Sequence, residues 1–289
     1  LKPKTLPSLA LAFGILAVSM AAILVRWANA PATVMGFWRM CIAALVMAIP
    51  VYATRNTHYA PGNFALAILA GLFFALNLAA WNTSALNTTA ANVTLLGNLS
   101  VVWVPLVTMF VFKRKLRGAF WLGLACAILG VVIILSYDLL AHPVFGIGDV
   151  WGIAASVVYS GYLLTMEQAR KHLSALVAWW ISTATSALGL LALSLLLGAS
   201  LTDYSLATFV IFAIMAIVLQ IGGFLSLNYA LGHLPAPIVS TSLLAQPVLT
   251  ALLAIPLLGQ SIGLVQLIGG VLVLGGIVIV HKSRMKYEV

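Results

Sequence analysis

Charge is the scarcest commodity in this sequence, and negative charge above all. Against 14 lysines and arginines stand 5 aspartates and glutamates, and charged side chains fill only 7% of 289 positions. A soluble domain carries about a quarter charged residues, so a surface this poor in charge does not face water. Cysteine is nearly missing as well. Cys41 and Cys126 are the 2 thiols, each inside an apolar run, which excludes a disulfide-stapled scaffold and reads as small buried hydrophobes. Strand barrels need alternating polar and apolar positions, and the runs show none. No Ser/His, paired-Asp or clustered His/Cys pattern stands at membrane depth. The five histidines, His58, His142, His172, His233 and His281, fall near run ends. The chain is therefore expected to be no enzyme and to hold neither metal nor cofactor.

What fills the sequence is apolar, at 63% of residues. Ten continuous runs lie near 6–25, 32–52, 63–81, 90–112, 118–137, 148–166, 175–197, 207–230, 237–258 and 262–280. Each approaches the roughly 20 residues of a transmembrane helix. The fold class expected is all-α, a multi-pass membrane protein of ten spans with short connections. The formal charge of +9 does not point to nucleic acid, because the basic residues sit at run ends, where they meet anionic headgroups. With the N-terminus inside, Lys2, Lys4, Arg55, Lys113–Arg117, Arg170, Lys171, Lys282, Arg284 and Lys286 share one side. Arg26, Asp138, Asp149 and Asp203 hold the other. That asymmetry predicts cytoplasmic termini. Ala28-Asn29-Ala30 resembles a signal cleavage site, but Pro31 follows it, and the first run is read as a retained helix.

The halves resemble one another. Gly123 and Gly130 match Gly269 and Gly276, and Ala85-Leu86 matches Ala230-Leu231. Two repeats are expected, 1–141 and 142–289. Five spans per repeat is odd, so the second enters the membrane from the opposite side, an inverted repeat of the kind that supports alternating access.

On these residues the chain resembles the drug/metabolite transporter superfamily, in its branch of two five-helix repeats. The resemblance rests on Gly36-Phe37-Trp38-Arg39, on Gly148-Asp149, on Gln246-Pro247 followed by Leu258-Gly259-Gln260, and on the spacing of Gly269 and Gly276. It is most similar to bacterial aromatic amino-acid exporters. That resemblance implies export of aromatic and other neutral amino acids from a bacterial inner membrane. Family members often have Glu where Gln260 stands. Export of other metabolites or drugs is the alternative within the superfamily, and a polar-lined channel the alternative outside it.

Polar and aromatic residues inside a bundle need partners or cargo. Phe74, Asn77 and Trp81 share one helical face, with Ser84 continuing it. Thr94 and Asn98 lie a turn apart, Tyr159 and Tyr162 stand on the sixth run, and Gln220, Phe224 and Asn228 mark the eighth. Ser242 and Gln246 mark the ninth. Together they are expected to line a central, uncharged cavity fitted to an aromatic amino acid; interhelical hydrogen bonding is the plainer role for each singly. Arg39 is expected to snorkel outward and pair with Asp138, Asp149 or Asp203. Pro105, Gly222, Gly223 and Pro247 are the candidate hinges. The absence of a mid-run acid predicts transport without an obligatory proton. The partners expected are a small-molecule substrate and the lipid bilayer, with the protein acting as a monomer.

Overall fold

The computed structural model describes residues 5–54, 62–88, 90–141, 146–258 and 264–283. Lys2, Lys4, Arg55, His58, His142, Gly259, Gln260, Arg284 and Lys286 lie outside them, as does the side chain of Asp138. Every regular element among the described residues is helical. In chain order these are α1 (Thr5–Val18), α2 (Ala21–Ala28), α3 (Ala32–Ala53), α4 (Gly62–Asn87), α5 (Ala90–Gly97), α6 (Ser100–Phe110) and α7 (Gly118–Ala141). Then come α8 (Ile147–Ala169), α9 (Ala175–Leu196), α10 (Leu206–Ile214), a π segment (Met215–Phe224) and α11 (Leu225–Leu231). The last are α12 (Ala236–Ser242), α13 (Ala245–Leu258) and α14 (Leu264–Lys282).

Among the described residues, 8 helical stretches are long and apolar enough to cross a membrane, α1–α2 and α5–α6 each counting as one. Ala236–Thr250 and Leu267–Lys282 are shorter apolar helices. Large apolar side chains such as Leu45, Ile49, Leu196, Leu206 and Val271 stand exposed on the outside of the bundle. An apolar outer surface of that extent suits lipid and not water.

The principal packings join helices from before residue 141 to helices after it: α4 on α8, α7 on α14, α3 on α9, α4 on α9. α4 with α8, α7 with α14 and α3 with α9 run antiparallel, whereas α4 runs parallel to α9, where Gly71 meets Ser182 and Ala75 meets Gly189. Gly123 faces the Gly276 carbonyl and Gly130 the Gly269 carbonyl. Gly36 meets Leu190, while Trp180 Nε1 donates to the Ala44 carbonyl at 2.9 Å. Gly152 meets Ser84 and Gly161 meets Phe73. Small residues at these crossings let backbones approach closely, the usual basis of association where lipid removes the hydrophobic drive.

Three of the apolar runs are interrupted. α1 and α2 part at Ser19-Met20, α5 and α6 at Asn98-Leu99, and α12 and α13 at Leu243-Leu244. The third break has a local cause. Pro247 has no N–H for the Leu243 carbonyl, which accepts instead from Gln246 N at 2.9 Å in a tighter turn. At the second break Val101 and Val102 donate to Asn98 and Leu99 in the same tight pattern, without a proline at the turn. Gly97, a weak helix former, is the last residue before it. Pro105 sits buried within α6, beyond the break.

Candidate functional site

All three interruptions meet at one cleft. Its lining includes Ser19, Ala21 and Ala22 from the first break, Gly97 and Asn98 from the second, and Gln246 and Thr250 just past the third. Arg39, Asn77, Trp81, Thr94, Tyr159 and Phe224 complete most of its wall. Helix breaks leave carbonyls without their i+4 donors, and such groups are tolerated at membrane depth only where protein or a cavity receives them. One is received here: Thr250 Oγ1 donates to the Ser19 carbonyl at 2.9 Å, tying the first break to α13. The cleft encloses about 700 Å³ with its open mouth and the solvent there included.

Of the residues expected to line a cavity, Asn77, Trp81, Asn98, Tyr159 and Gln246 do so. Asn77 Nδ2 also donates to the Ala155 carbonyl at 3.0 Å, which fixes α4 against α8. The side-chain amides of Asn98 and Gln246 have no hydrogen bond within the described residues, although Asn98 is buried. Trp81 is held by a close approach, its indole resting over Gly97 where a Cβ would fall 2.9 Å from Nε1.

Behind the Tyr159 and Phe224 wall lies a packed aromatic layer. The Phe74 ring is 4.6 Å from Tyr162 and 4.7 Å from Phe224, and Tyr159 stacks on Tyr162 at 5.6 Å. Phe74 therefore backs the cleft without lining it. Asn228 sits deeper still, donating from Nδ2 to the Tyr162 hydroxyl at 2.8 Å and to the Phe224 carbonyl at 2.9 Å. Ser242 turns away, its hydroxyl paired with His281 Nε2 at 2.8 Å and donating to the Ile238 carbonyl. Trp151 points outward, 42% exposed.

Arg39 overturns an expectation. It does not snorkel, but lies 3% exposed in the cleft wall, with Nη2 donating to Gln220 Oε1 at 3.1 Å. Its guanidinium rests 5.1 Å from the centre of the Phe224 ring, at cation–π distance. Two of the aspartates expected to pair with it are engaged elsewhere, and the side chain of Asp138 lies outside the described residues. Asp149 accepts from Thr88, Asn92 and the Gly146 N–H, and Asp203 accepts from Ser200. The cavity is accordingly not uncharged; it carries one cation. Gln220 is the reason, since Nε2 donates onward to Thr183 Oγ1 at 3.1 Å and its own side chain is spent on holding Arg39.

The π segment that carries Gln220 was not foreseen. Gln220 and Phe224 keep one face through it, both meeting Arg39, the first by a hydrogen bond and the second by its ring. Its two glycines differ. A Cβ on Gly223 would fall 2.7 Å from Val18 Cγ1, whereas one on Gly222 meets nothing closer than 3.4 Å. Gly222→Ala is thus the clean probe of a hinge: the melting midpoint should stay within about 0.5 kcal/mol of the original while substrate turnover falls. Gly223→Ala should lower the midpoint itself, by displacing Val18. Turnover unchanged by Gly222→Ala would remove the hinge.

The sequence profile of the EamA-like transporter family matches residues 6–136 and 146–281. A Clostridium kluyveri protein described as an uncharacterized transporter is 28% identical over 182 residues, 61% of this chain and 58% of its own length. The chain thus spans under two thirds of that relative. A solved crystal structure of a protein 19% identical superposes with a TM-score of 0.76, covering 94% of this chain and 95% of its own. That last likeness is one of fold.

Proposed function

Because this chain belongs to the EamA-like transporter family, we propose that it exports amino acids, aromatic and other neutral ones, by alternating access through the cleft. One observation carries the choice of cargo. An indole and a phenol (Trp81, Tyr159) line the same cleft as two amides, Asn98 and Gln246, that no described residue engages. Rings stack on the former, and the latter take the ammonium of an amino acid. The meeting of three broken helices at this point is the arrangement expected of a transport site.

Alternating access further supposes two inverted repeats, 1–141 and 142–289, of five spans each, with both termini cytoplasmic in a bacterial inner membrane and the protein working as a monomer. Supporting this reading are the family profile's two matched segments and the antiparallel pairing of α7 with α14 and α3 with α9, helices in like positions of the two segments. Proton coupling is not part of the proposal. Asp149 and Glu167 are both engaged, Glu167 with Arg114 at 2.9 Å, and neither lines the cleft. An imposed pH gradient should therefore drive no net uptake at equal substrate on both sides.

Counterflow into proteoliposomes is the test, with aromatic, branched and small neutral amino acids as cargo. Aromatic ones should exchange fastest and saturably; a channel would give neither saturation nor counterflow. Trp81→Ala and Tyr159→Ala should each remove a ring contact worth about 1 kcal/mol, a roughly fivefold weaker apparent affinity for aromatic cargo. Equal affinity in both variants would sink this picture of the cleft.

A further inference from the structure

We propose that Arg39 is the anion-recognition residue of the cleft, and that the cargo carries a single carboxylate joined to an apolar or aromatic body. The proposal deepens the export reading and rests on it only for the route the cargo takes.

A guanidinium offers five N–H donors in a rigid fork. Here one donor is used, by the neutral oxygen of Gln220, and Nε is buried without a partner. No carboxylate among the described residues forms an ion pair with it. An ionised group at membrane depth without a counter-charge is costly, and such groups pair with one another or mark the path of cargo. The face of Phe224 compensates in part, since a ring quadrupole attracts a cation without bonding its N–H groups. What is left open is the fork itself, facing the cleft. Carboxylate geometry matches that fork with two parallel bonds.

The surroundings narrow the anion. Arg39 is the sole charged residue in the lining among the described residues, so one negative charge is matched and a dianionic phosphate ester is not. Thr183 and Gln220 act as positioning residues, the hydroxyl holding the amide and the amide holding the guanidinium. An ammonium on the same cargo is repelled by Arg39 and belongs at the amide oxygens of Asn98 and Gln246, which no described residue engages. A zwitterionic amino acid fits both ends; an amine lacking the carboxylate fits one and is repelled at the other.

The experiment has two arms on the full-length protein. In detergent, thermal midpoints are compared with phenylpropionate, phenethylamine, phenylalaninamide and phenyl phosphate, for the original protein and for Arg39→Gln and Arg39→Lys. In proteoliposomes, the same compounds compete against phenylalanine counterflow. Phenylpropionate should stabilise the original protein and compete at least about tenfold better than either amine. Arg39→Lys should keep that order in weakened form, and Arg39→Gln should abolish it. Amines that stabilise as well as phenylpropionate does overturn the proposal, as does stronger stabilisation by phenyl phosphate. The comparison within the original protein stands even where Arg39→Gln fails to fold. Stabilisation by phenylpropionate without any phenylalanine counterflow upholds Arg39 as the carboxylate site and overturns amino-acid export, so the two failures are told apart.

Discussion

Asp149→Ala is expected to cost the fold about 3 kcal/mol, read as a lowered apparent melting midpoint of the detergent-solubilised protein. Asp149 is 3% exposed at the start of α8 and satisfies three donors: the Gly146 N–H at 2.8 Å, Thr88 Oγ1 at 2.8 Å and Asn92 Nδ2 at 3.0 Å. The first closes the N-terminal turn of α8, where an acid also meets the positive end of the helix dipole. The other two reach Thr88, just after α4, and Asn92 in α5, so the carboxylate stitches together parts of the chain some sixty residues apart. Gly148 makes the approach possible, because a Cβ there would fall 2.6 Å from the Asn87 carbonyl oxygen. Alanine at 149 takes the acceptor from all three; the Gly146 N–H is exposed to water and Thr88 is half-buried, so the loss falls mainly on buried Asn92 and on the helix start, and a stranded buried group costs about 1–3 kcal/mol. Asp149→Asn keeps the shape and one acceptor oxygen, so its loss should be about half as large. An alanine variant as stable as the original would mean that Thr88 and Asn92 find other acceptors.

Gly148-Asp149 shows how far the sequence could be read. The pair was visible as a marker of the second half, but only the structure supplies its reason, a close backbone approach and a three-donor acceptor. Apolar runs were legible because membrane thickness sets their length and water exclusion their composition. Direction around a helix was not. Arg39 was placed at its proper depth and then turned the wrong way, because acids seemed close at hand and snorkelling is the common fate of a basic side chain near a helix end. Its partner lay 181 residues away, in Gln220. Gln220, in turn, reads as a cavity amide because its partners, Arg39 and Thr183, lie on other helices and leave no trace near it in the sequence; Gly222-Gly223 is the local signal of the irregular turn. The breaks had clearer traces. Gln246-Pro247 announced one, while the turn at Asn98-Leu99 carried only an amide and a preceding glycine. Trp81, Asn98, Tyr159 and Gln246 are reached by asking which polar and aromatic groups lack an obvious reason to be in lipid, a question that finds the ring and amide part of the cleft and misses Arg39 and the wall from the first break.

Gly276→Val should prevent the protein from reaching its folded state, with no monodisperse peak on size exclusion, whereas Gly275→Val should be recovered intact. The substitutions are neighbours and chemically identical. A Cβ on Gly276 would lie 2.5 Å from the Gly123 carbonyl oxygen and 2.6 Å from Ala127 N, both backbone atoms that cannot rotate aside. On Gly275 it would meet nothing within 4 Å. Overpacking that side chains can absorb costs about 1–3 kcal/mol; here α7 and α14 must separate as rigid bodies, and the loss should exceed that. The same close approach recurs where a Cβ on Gly130 would fall 2.6 Å from the Gly269 carbonyl oxygen, so the seam is pinned at two points one heptad apart. A seam fixed by backbone on both sides is a poor place for motion. In the alternating-access reading, α7 and α14 then serve as the stationary edge, and opening and closing falls to the elements whose hydrogen-bond ladders are already broken. Those are α1–α2, α5–α6, the π segment and α12–α13, which are also the ones that carry Ser19, Asn98, Phe224 and Gln246 into the cleft. A Gly276→Val variant that folds and transports normally would show that the seam yields, and would move the stationary edge elsewhere in the bundle.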